Sequence, residues 1–162
     1  MTPATLIPVD PRNLSLLWAS HERVDDIAAL HARLFDPPWD TASIGRMIEH
    51  PAAAAFVAQV RDPKAVVGFV IGQIAADEAE ILSIGVAPEW QRRGIARQMV
   101  EGLIRAARRA EVDRLYLEVA SDNAAALRLY EGLGFTVAAK RKGYYVRAPG
   151  QAADAFVLAL VL

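Results

Sequence analysis

A short basic turn follows an apolar segment in the middle of the chain, between Ile81 and Arg97. The apolar segment, Ile81–Val86, has the length and composition of a buried central strand. Within the turn, Gly94 and Ala96 are too small to obstruct a ligand. The first N–H groups of the helix that follows have no partners inside the helix, and the helix dipole favours an anion there. The sequence therefore predicts a phosphate-binding turn.

Positive charge is concentrated at this same turn. Three arginines flank it, namely Arg92, Arg93 and Arg97, and with the main-chain N–H groups they would form a cradle for a pyrophosphate. The pattern is not a Walker A loop, because no Gly-Lys-Ser/Thr follows, and the third glycine of a dinucleotide-binding loop is absent. The alternative is an ordinary strand–helix turn with a solvated basic face.

The elements around the turn predict an α+β fold with a mixed sheet. Apolar stripes at helical spacing predict four helices, at Val24–Phe35, Thr41–Glu49, Ile95–Ala110 and Asn123–Glu131. Strands are predicted at Leu14–Ser20, Ala54–Val60, Val66–Ala75, Glu80–Val86, Arg114–Val119, Phe135–Ala138 and Ala155–Leu160. Residues 1–12 are predicted to be an irregular lead-in, and Lys140–Asp154 a polar loop. Three strands form an antiparallel meander, and the strand–helix–strand passage after it predicts a parallel crossover.

Composition narrows the classes of protein. With 162 residues, 54% of them hydrophobic, the chain suits one folded domain, residues 1–162. A net charge of -1 gives no general reason to bind nucleic acid. No apolar run is long enough for a membrane span, and the N-terminus does not resemble a signal peptide. The absence of cysteine favours a cytoplasmic protein, and the histidines His21, His31 and His50 fit surface or helix-flank positions better than a metal site.

Two motifs in this order resemble the GCN5-related N-acetyltransferase (GNAT) family. The first is Gln91–Ala96, which matches the family signature Q/R-x-x-G-x-G/A. The second is Leu117–Phe135, which matches its LEV…N-x-x-A…LY-x-x-x-GF block and is most similar to RimI-type enzymes, which acetylate an N-terminal alanine of a ribosomal protein. The resemblance implies a mostly antiparallel sheet that splays around an acetyl-CoA site.

The resemblance also implies which residues hold acetyl-CoA. The pantetheine amides would pair with one edge of the central strand as a neighbouring strand does, and the pyrophosphate would lie on the basic turn. The residues implied are Ile84, Gly85, Val86, Arg92, Arg93, Gly94, Ile95, Ala96, Arg97 and Asn123. No metal is implied. For Asn123 at the helix start, a simple helix cap is the alternative.

Acetyl transfer requires a base for the ammonium group and a donor for the leaving thiolate. Glu118 lies at a strand end on the face opposite Leu117, and in the family the corresponding glutamate accepts the proton. Tyr130 lies on the next helix, and the family uses this tyrosine as the acid. The alternatives are a solvated strand-end carboxylate and a core aromatic with a satisfied hydroxyl.

Two aromatic loops are candidates for binding the amine acceptor. Trp39 follows two prolines, and Tyr144 and Tyr145 form a pair that matches one in RimI-type sequences. These residues could equally be packing aromatics. The chain departs from the group at Val146, where a proline is usual, and at Ala153, where an acidic residue is usual. The departures place the peptide preference in question, and not the acetyl transfer.

Three functions follow from these patterns. The first is acetylation of a protein N-terminus, possibly that of a ribosomal protein, by a monomer or weak dimer. The second keeps acetyl-CoA but changes the acceptor to a lysine side chain or a small amine. The third is a non-catalytic acyl-CoA sensor, which would need neither Glu118 nor Tyr130.

Overall fold

Seven strands form one sheet in the computed structural model, which describes residues 8–146 and 152–162. The strand order is β1-β2-β3-β4-β5-β7-β6. The strands are β1 (Leu14–Trp18), β2 (Ala53–Arg61), β3 (Lys64–Ala75), β4 (Glu78–Val86), β5 (Arg114–Ala120), β6 (Thr136–Val146) and β7 (Ala152–Val161). The α-helices of the described ranges are α1 (Val24–Leu34), α2 (Thr41–Glu49), α3 (Ile95–Arg109) and α4 (Ala124–Gly132).

The pairing of the strands confirms the predicted mixed sheet. Strands β2, β3 and β4 form the antiparallel meander. Strand β5 then runs parallel to β4, and α3 is the crossover that joins them. All other neighbouring strands in the described residues are antiparallel.

The sheet splits between β4 and β5. These strands pair only from Glu78↔Arg114 to Ile81↔Leu117. Beyond that point β4 continues alongside β3 as far as Val86, and β5 continues alongside β7 as far as Ala120. Among the described strands, none pairs with the edges of β4 and β5 that face each other across the split. This opening leaves main-chain groups of β4 available to a ligand.

Helices cover both faces of the sheet. Helix α3 packs on one face through its apolar stripe, and α1 and α2 pack on the other face against β2 and β3. The buried residues of the α3 stripe are Ile95, Met99, Val100, Leu103, Ile104 and Ala107. Burial of this stripe fixes the start of α3 beside the end of β4, so the predicted basic turn lies at the split.

The predicted loop Lys140–Asp154 is wrong throughout its described part, all of which lies in strands. Strand β6 continues to Val146, and β7 begins at Ala152. The edge position of β6 explains the difference, because its residues are almost all exposed and need no apolar alternation. Residues 147–151 of this loop and residues 1–7 of the predicted lead-in lie outside the described residues, and Pro11–Asn13 forms a short 3₁₀ helix.

Candidate active site

A cavity of about 850 Å³ occupies the split between β4 and β5. Its walls come from these two strand ends, the first turns of α3 and α4, and the segment joining α1 to α2. The predicted site residues on its walls are Trp39, Ile84, Gly85, Val86, Arg92, Gly94, Ile95, Ala96, Arg97, Glu118, Asn123, Tyr130 and Tyr145. Arg93 and Tyr144 are not on the walls. The fold thus brings together residues that are far apart in the sequence.

The basic turn ends at a glycine whose backbone is left-handed. Gly94 has φ of 85° and directly precedes α3. A Cβ atom placed there would meet nothing within 4 Å, so the backbone conformation, and not packing, favours glycine. The N-terminus of α3 therefore opens to the cavity with Arg92 and Arg97 on its wall. This arrangement suits an anion.

Two other side chains of the turn point elsewhere and stabilise it. The guanidinium of Arg93 lies 4.3 Å from the ring centroid of Trp90. The side-chain amide of Gln91 donates a hydrogen bond of 2.9 Å to the carbonyl of Val86, which ties the turn to the end of β4. Sequence analysis placed Gln91 in the family signature but did not predict this hydrogen bond.

Gly85 allows α1 to approach β4 closely. A Cβ atom there would lie 2.6 Å from Cδ1 of Leu34 and 2.9 Å from Cε1 of Phe69. Since real Cβ atoms are not found at such distances, the glycine is required for packing. The resemblance placed Gly85 among the acetyl-CoA residues, and the structure shows that its missing side chain makes room for Leu34 of α1 and Phe69 of β3.

Glu118 forms an ion pair with a residue of the edge strand. Its Oε1 atom is 3.2 Å from a guanidinium nitrogen of Arg141, and its side chain is 24% exposed. The guanidinium of Arg141 also lies 5.2 Å from the ring centroid of Tyr144, which packs edge-on against Tyr145 at 5.2 Å. Sequence analysis missed Arg141 because it fell in the predicted loop. Tyr144 thus contacts Arg141, and Tyr145 reaches the cavity.

Tyr130 combines a buried ring with a hydroxyl that faces the cavity. The residue is 4% exposed, and its ring packs edge-on against Phe135 at 5.4 Å. No solvent-shielded polar side-chain atom of the described residues lacks a hydrogen-bond partner. Because no such bond is found for the hydroxyl within that part of the chain, it reaches solvent through the cavity. Burial raises the pKa of Tyr130 to about 12, so the hydroxyl remains protonated at neutral pH.

Asn123 caps α4. Its Oδ1 atom accepts a hydrogen bond of 3.2 Å from the N–H of Ala126. The helix begins at Ala124, one residue after the predicted start, and Asn123 has the capping role that was given as its alternative. The amide group of Asn123 also lies on the cavity wall.

His31 is the main site residue that sequence analysis misjudged. The prediction of a surface or helix-flank position is wrong, because His31 is 2% exposed and lies on the cavity wall. The main-chain N–H of Trp39 donates a hydrogen bond of 3.0 Å to its Nδ1 atom. Burial lowers the pKa of His31. Helical spacing from Val24 and Ile27, both buried, was the signal for its inward position.

Residues 8–146 and 152–162 contain neither a metal-binding cluster nor a membrane-spanning helix. No group of three or more histidine or acidic side chains there could hold a metal ion. None of the helices in those ranges combines the length and the apolar character needed to cross a membrane.

The fold and the cavity agree with a comparison of the whole sequence with protein families. The profile of the acetyltransferase (GNAT) family matches residues 24–135. The chain belongs to this family. In its described residues, the mixed seven-stranded sheet with four α-helices is the fold expected of the family.

Relatives within the family carry more specific names. The ribosomal protein bS18-alanine N-acetyltransferase of Salmonella typhimurium is 46% identical over 92 residues, which are 57% of this chain and 62% of that protein. The N-alpha-acetyltransferase RimI of Mycobacterium tuberculosis is 38% identical over 81% of this chain and 82% of its own length. The crystal structure of the Escherichia coli S18-alanine N-acetyltransferase superposes with a TM-score of 0.83 at 29% identity, covering 91% of this chain and 93% of that one.

Proposed function

We propose that the chain is a single acetyltransferase domain that transfers the acetyl group of acetyl-CoA to the N-terminal α-amine of a protein. The observation that carries the proposal is the composition of the cavity walls. They contain the N-terminus of α3, which suits an anion, the unpaired edge of β4, the carboxylate of Glu118 and the protonated hydroxyl of Tyr130. The names of the relatives support the α-amine as acceptor. The matched stretch covers less than two thirds of the Salmonella relative, so its activity is carried over only as part of this proposal.

Acetyl-CoA is the acetyl donor, and the cavity fits its parts. Arg92, Arg97 and the start of α3 supply positive potential for the pyrophosphate. The unpaired edge of β4 offers main-chain groups of Ile84 and Val86 to the pantetheine amides. The Salmonella typhimurium protein yncA, solved with acetyl-CoA, superposes with a TM-score of 0.80 at 25% identity.

The chemistry divides between two side chains. Glu118 accepts a proton from the acceptor ammonium, directly or through a water molecule, and so frees the nitrogen lone pair. The nitrogen attacks the thioester carbonyl, and a C–N bond forms. As the C–S bond breaks, the second proton of the nitrogen passes to the departing thiolate, which leaves as the thiol of CoA. The hydroxyl of Tyr130, protonated because its pKa is about 12, donates a hydrogen bond to the departing sulfur. A main-chain N–H near Val86 stabilises the negative charge on the carbonyl oxygen.

The acceptor enters beside the aromatic residues of the cavity. Trp39 and Tyr145 lie on its walls, and they would contact the first residues of a peptide. We propose a protein N-terminus beginning with alanine, such as that of a small ribosomal protein, because two of the relatives described carry that substrate in their names. A bacterial ribosomal substrate would place the reaction in the cytoplasm.

Mass spectrometry on a peptide library tests the proposal. The purified chain and acetyl-CoA are incubated with two sets of peptides. The first set differs in the first residue and has free N-termini. The second set has the same peptides with a blocked N-terminus and an internal lysine. We expect a gain of one acetyl group on free N-termini, fastest for alanine. Acetylation of the blocked lysine peptides alone would show a side-chain acceptor instead, and binding of acetyl-CoA without any product would show a sensor.

A further inference from the structure

His31 is a buried imidazole on the cavity wall that the proposed proton transfers do not use. It lies on α1 and is 2% exposed. The rings of Phe35 and Trp39 stack against it, with centroid distances of 4.4 Å and 4.8 Å, and Phe69 lies 6.0 Å away. Because these rings restrict its rotation, the directions of its two nitrogen atoms are fixed.

A main-chain hydrogen bond fixes the protonation state of the ring. The N–H of Trp39 donates to Nδ1 at 3.0 Å, so Nδ1 carries a lone pair. In a neutral imidazole the proton must then be on Nε2. Burial favours this neutral form. His31 therefore presents an N–H donor at Nε2, and it has no lone pair there with which to act as a base.

The Nε2 atom faces the cavity. In residues 8–146 and 152–162, every solvent-shielded polar side-chain atom has a hydrogen-bond partner. The hydrogen bond found for the His31 ring in those ranges is the one at Nδ1. Nε2 must therefore reach solvent, and the solvent that His31 lines is that of the cavity. The donor lies on the α1 wall of the cavity, next to Trp39.

We infer that the Nε2–H group of His31 donates a hydrogen bond to a carbonyl oxygen of the acceptor, and so favours peptide α-amines over amines that lack a carbonyl. This inference rests on the proposed function and names a specificity-determining residue for it. A neutral donor matches an uncharged amide oxygen. The aromatic rings that stack on the imidazole make its surroundings apolar, so the bond is stronger than the same bond in bulk water.

Two variants separate the donor from the ring. In His31→Asn the side-chain oxygen can replace Nδ1 and accept from Trp39, but no atom reaches the Nε2 position. In His31→Gln the side-chain amide reaches the Nε2 position and retains the donor. Both variants lose the ring stacking, so a difference between them reports on the donor. The acceptors are an alanine-initiated peptide and isopropylamine, which has the carbon skeleton of alanine without its carbonyl.

We expect His31→Asn to lower the ratio of kcat/KM for the peptide to kcat/KM for isopropylamine by about 2- to 10-fold, as for the loss of one neutral hydrogen bond. His31→Gln should retain the wild-type ratio, and the KM for acetyl-CoA should not change. Equal losses of the ratio in both variants, or an unchanged ratio in His31→Asn, would overturn the inference.

A binding measurement keeps this test separate from the proposed function. In an NMR titration, alaninamide should shift the Nε2–H resonance of His31, and isopropylamine should not. A wild-type protein that acetylates no peptide N-terminus would remove the proposed function, and the titration would still decide the hydrogen bond. The absence of a shift at saturating alaninamide would overturn the inference on its own.

Discussion

Glu118 has a partner before any substrate binds. The ion pair with Arg141 at 3.2 Å orients the carboxylate. In the proposed mechanism the acceptor ammonium would share or replace that partner. Glu118 lies on the face of β5 opposite the buried Leu117, so its side chain points away from the main core. The side chain is thus held in place without being buried among apolar atoms.

Replacement of Glu118 by glutamine keeps the shape and removes the base. We expect Glu118→Gln to lower the turnover rate by about 10²-fold or more at neutral pH. The amide oxygen can still accept from Arg141, so the thermal stability and the affinity for acetyl-CoA should hardly change. The turnover rate is measured across pH 6–9, and the affinity for acetyl-CoA is measured by calorimetry. Near wild-type turnover throughout that range would exclude Glu118 from the mechanism.

Tyr130 serves the core with its ring and the cavity with its hydroxyl. Tyr130→Phe removes the hydroxyl alone and keeps the edge-on contact with Phe135. We expect a large fall in turnover, little change in melting temperature, and acetyl-CoA binding within about tenfold, or ~1.4 kcal/mol. Because the pKa of about 12 keeps the hydroxyl protonated, the wild-type rate should not fall through deprotonation of Tyr130 below about pH 11.

A truncation of the same residue provides the control. Tyr130→Ala removes a buried aromatic ring and should lower the free energy of unfolding by ~3 kcal/mol or more. The two variants together separate packing from chemistry. A fully active Tyr130→Phe variant combined with a destabilised Tyr130→Ala variant would show that Tyr130 is a core residue only.

Helix α3 links the sheet to the proposed donor site. Its buried apolar stripe, which includes Ile95 and Met99, packs on the sheet. As a result, the first turn of the helix lies on the cavity wall. The left-handed backbone of Gly94 directs the chain into the helix. The basic turn is therefore positioned by apolar packing that lies on the other side of the same helix.

Replacement of Gly94 tests this arrangement. We expect Gly94→Glu to abolish acetyl-CoA binding and leave the fold intact, because the new side chain has space but brings a negative charge to the proposed pyrophosphate position. Calorimetry measures the affinity, and circular dichroism measures the fold.

Gly94→Ala is the matched control, because it carries the same backbone penalty at φ of 85° without the charge. We expect it to be destabilised by about 1–2 kcal/mol and to retain measurable affinity for acetyl-CoA. Unchanged affinity in a folded Gly94→Glu protein would contradict a pyrophosphate site at this turn.

The stability of the whole molecule should depend on pH through His31. Burial lowers the pKa of His31 below its ordinary value of 6.5, so the unfolded chain binds a proton more readily than the folded chain. Stability is then full above about pH 6.5 and is lost as the pH falls through the lowered pKa. The exposed carboxylates with lowered pKa values, such as Asp40 and Glu89, change the pH dependence of stability only below about pH 4.5.

Denaturant titrations between pH 5 and pH 7.5 measure this dependence. We expect the free energy of unfolding to rise with pH in the wild type and to rise less in His31→Asn. His50→Asn is the matched control, since His50 also accepts a main-chain N–H through Nδ1 but is exposed. An identical pH dependence in the wild type and in His31→Asn would show that His31 does not govern it.

Local patterns in the sequence determined the family, the four helices and most strands. The signature Gln91–Ala96 and the block Leu117–Phe135 each lie within a short stretch of chain, so their spacing is readable without a fold. Helix caps such as Asp40, whose carboxylate accepts from the N–H of Ser43 at 2.7 Å, are equally local. The periodic spacing of apolar residues predicted the helices and most of the strands.

Contacts between distant segments were decided only by the tertiary structure. The pairing of Arg141 with Glu118 depends on β7 lying between β5 and β6, and no pattern in an exposed edge strand reports its neighbours. Likewise, the inward position of His31 depends on Trp39 returning over α1 to bond its ring. From sequence alone, a polar side chain is predicted to be exposed, because burial is costly without a hydrogen-bond partner. Only the tertiary fold shows whether the side chain is enclosed and which group is its partner.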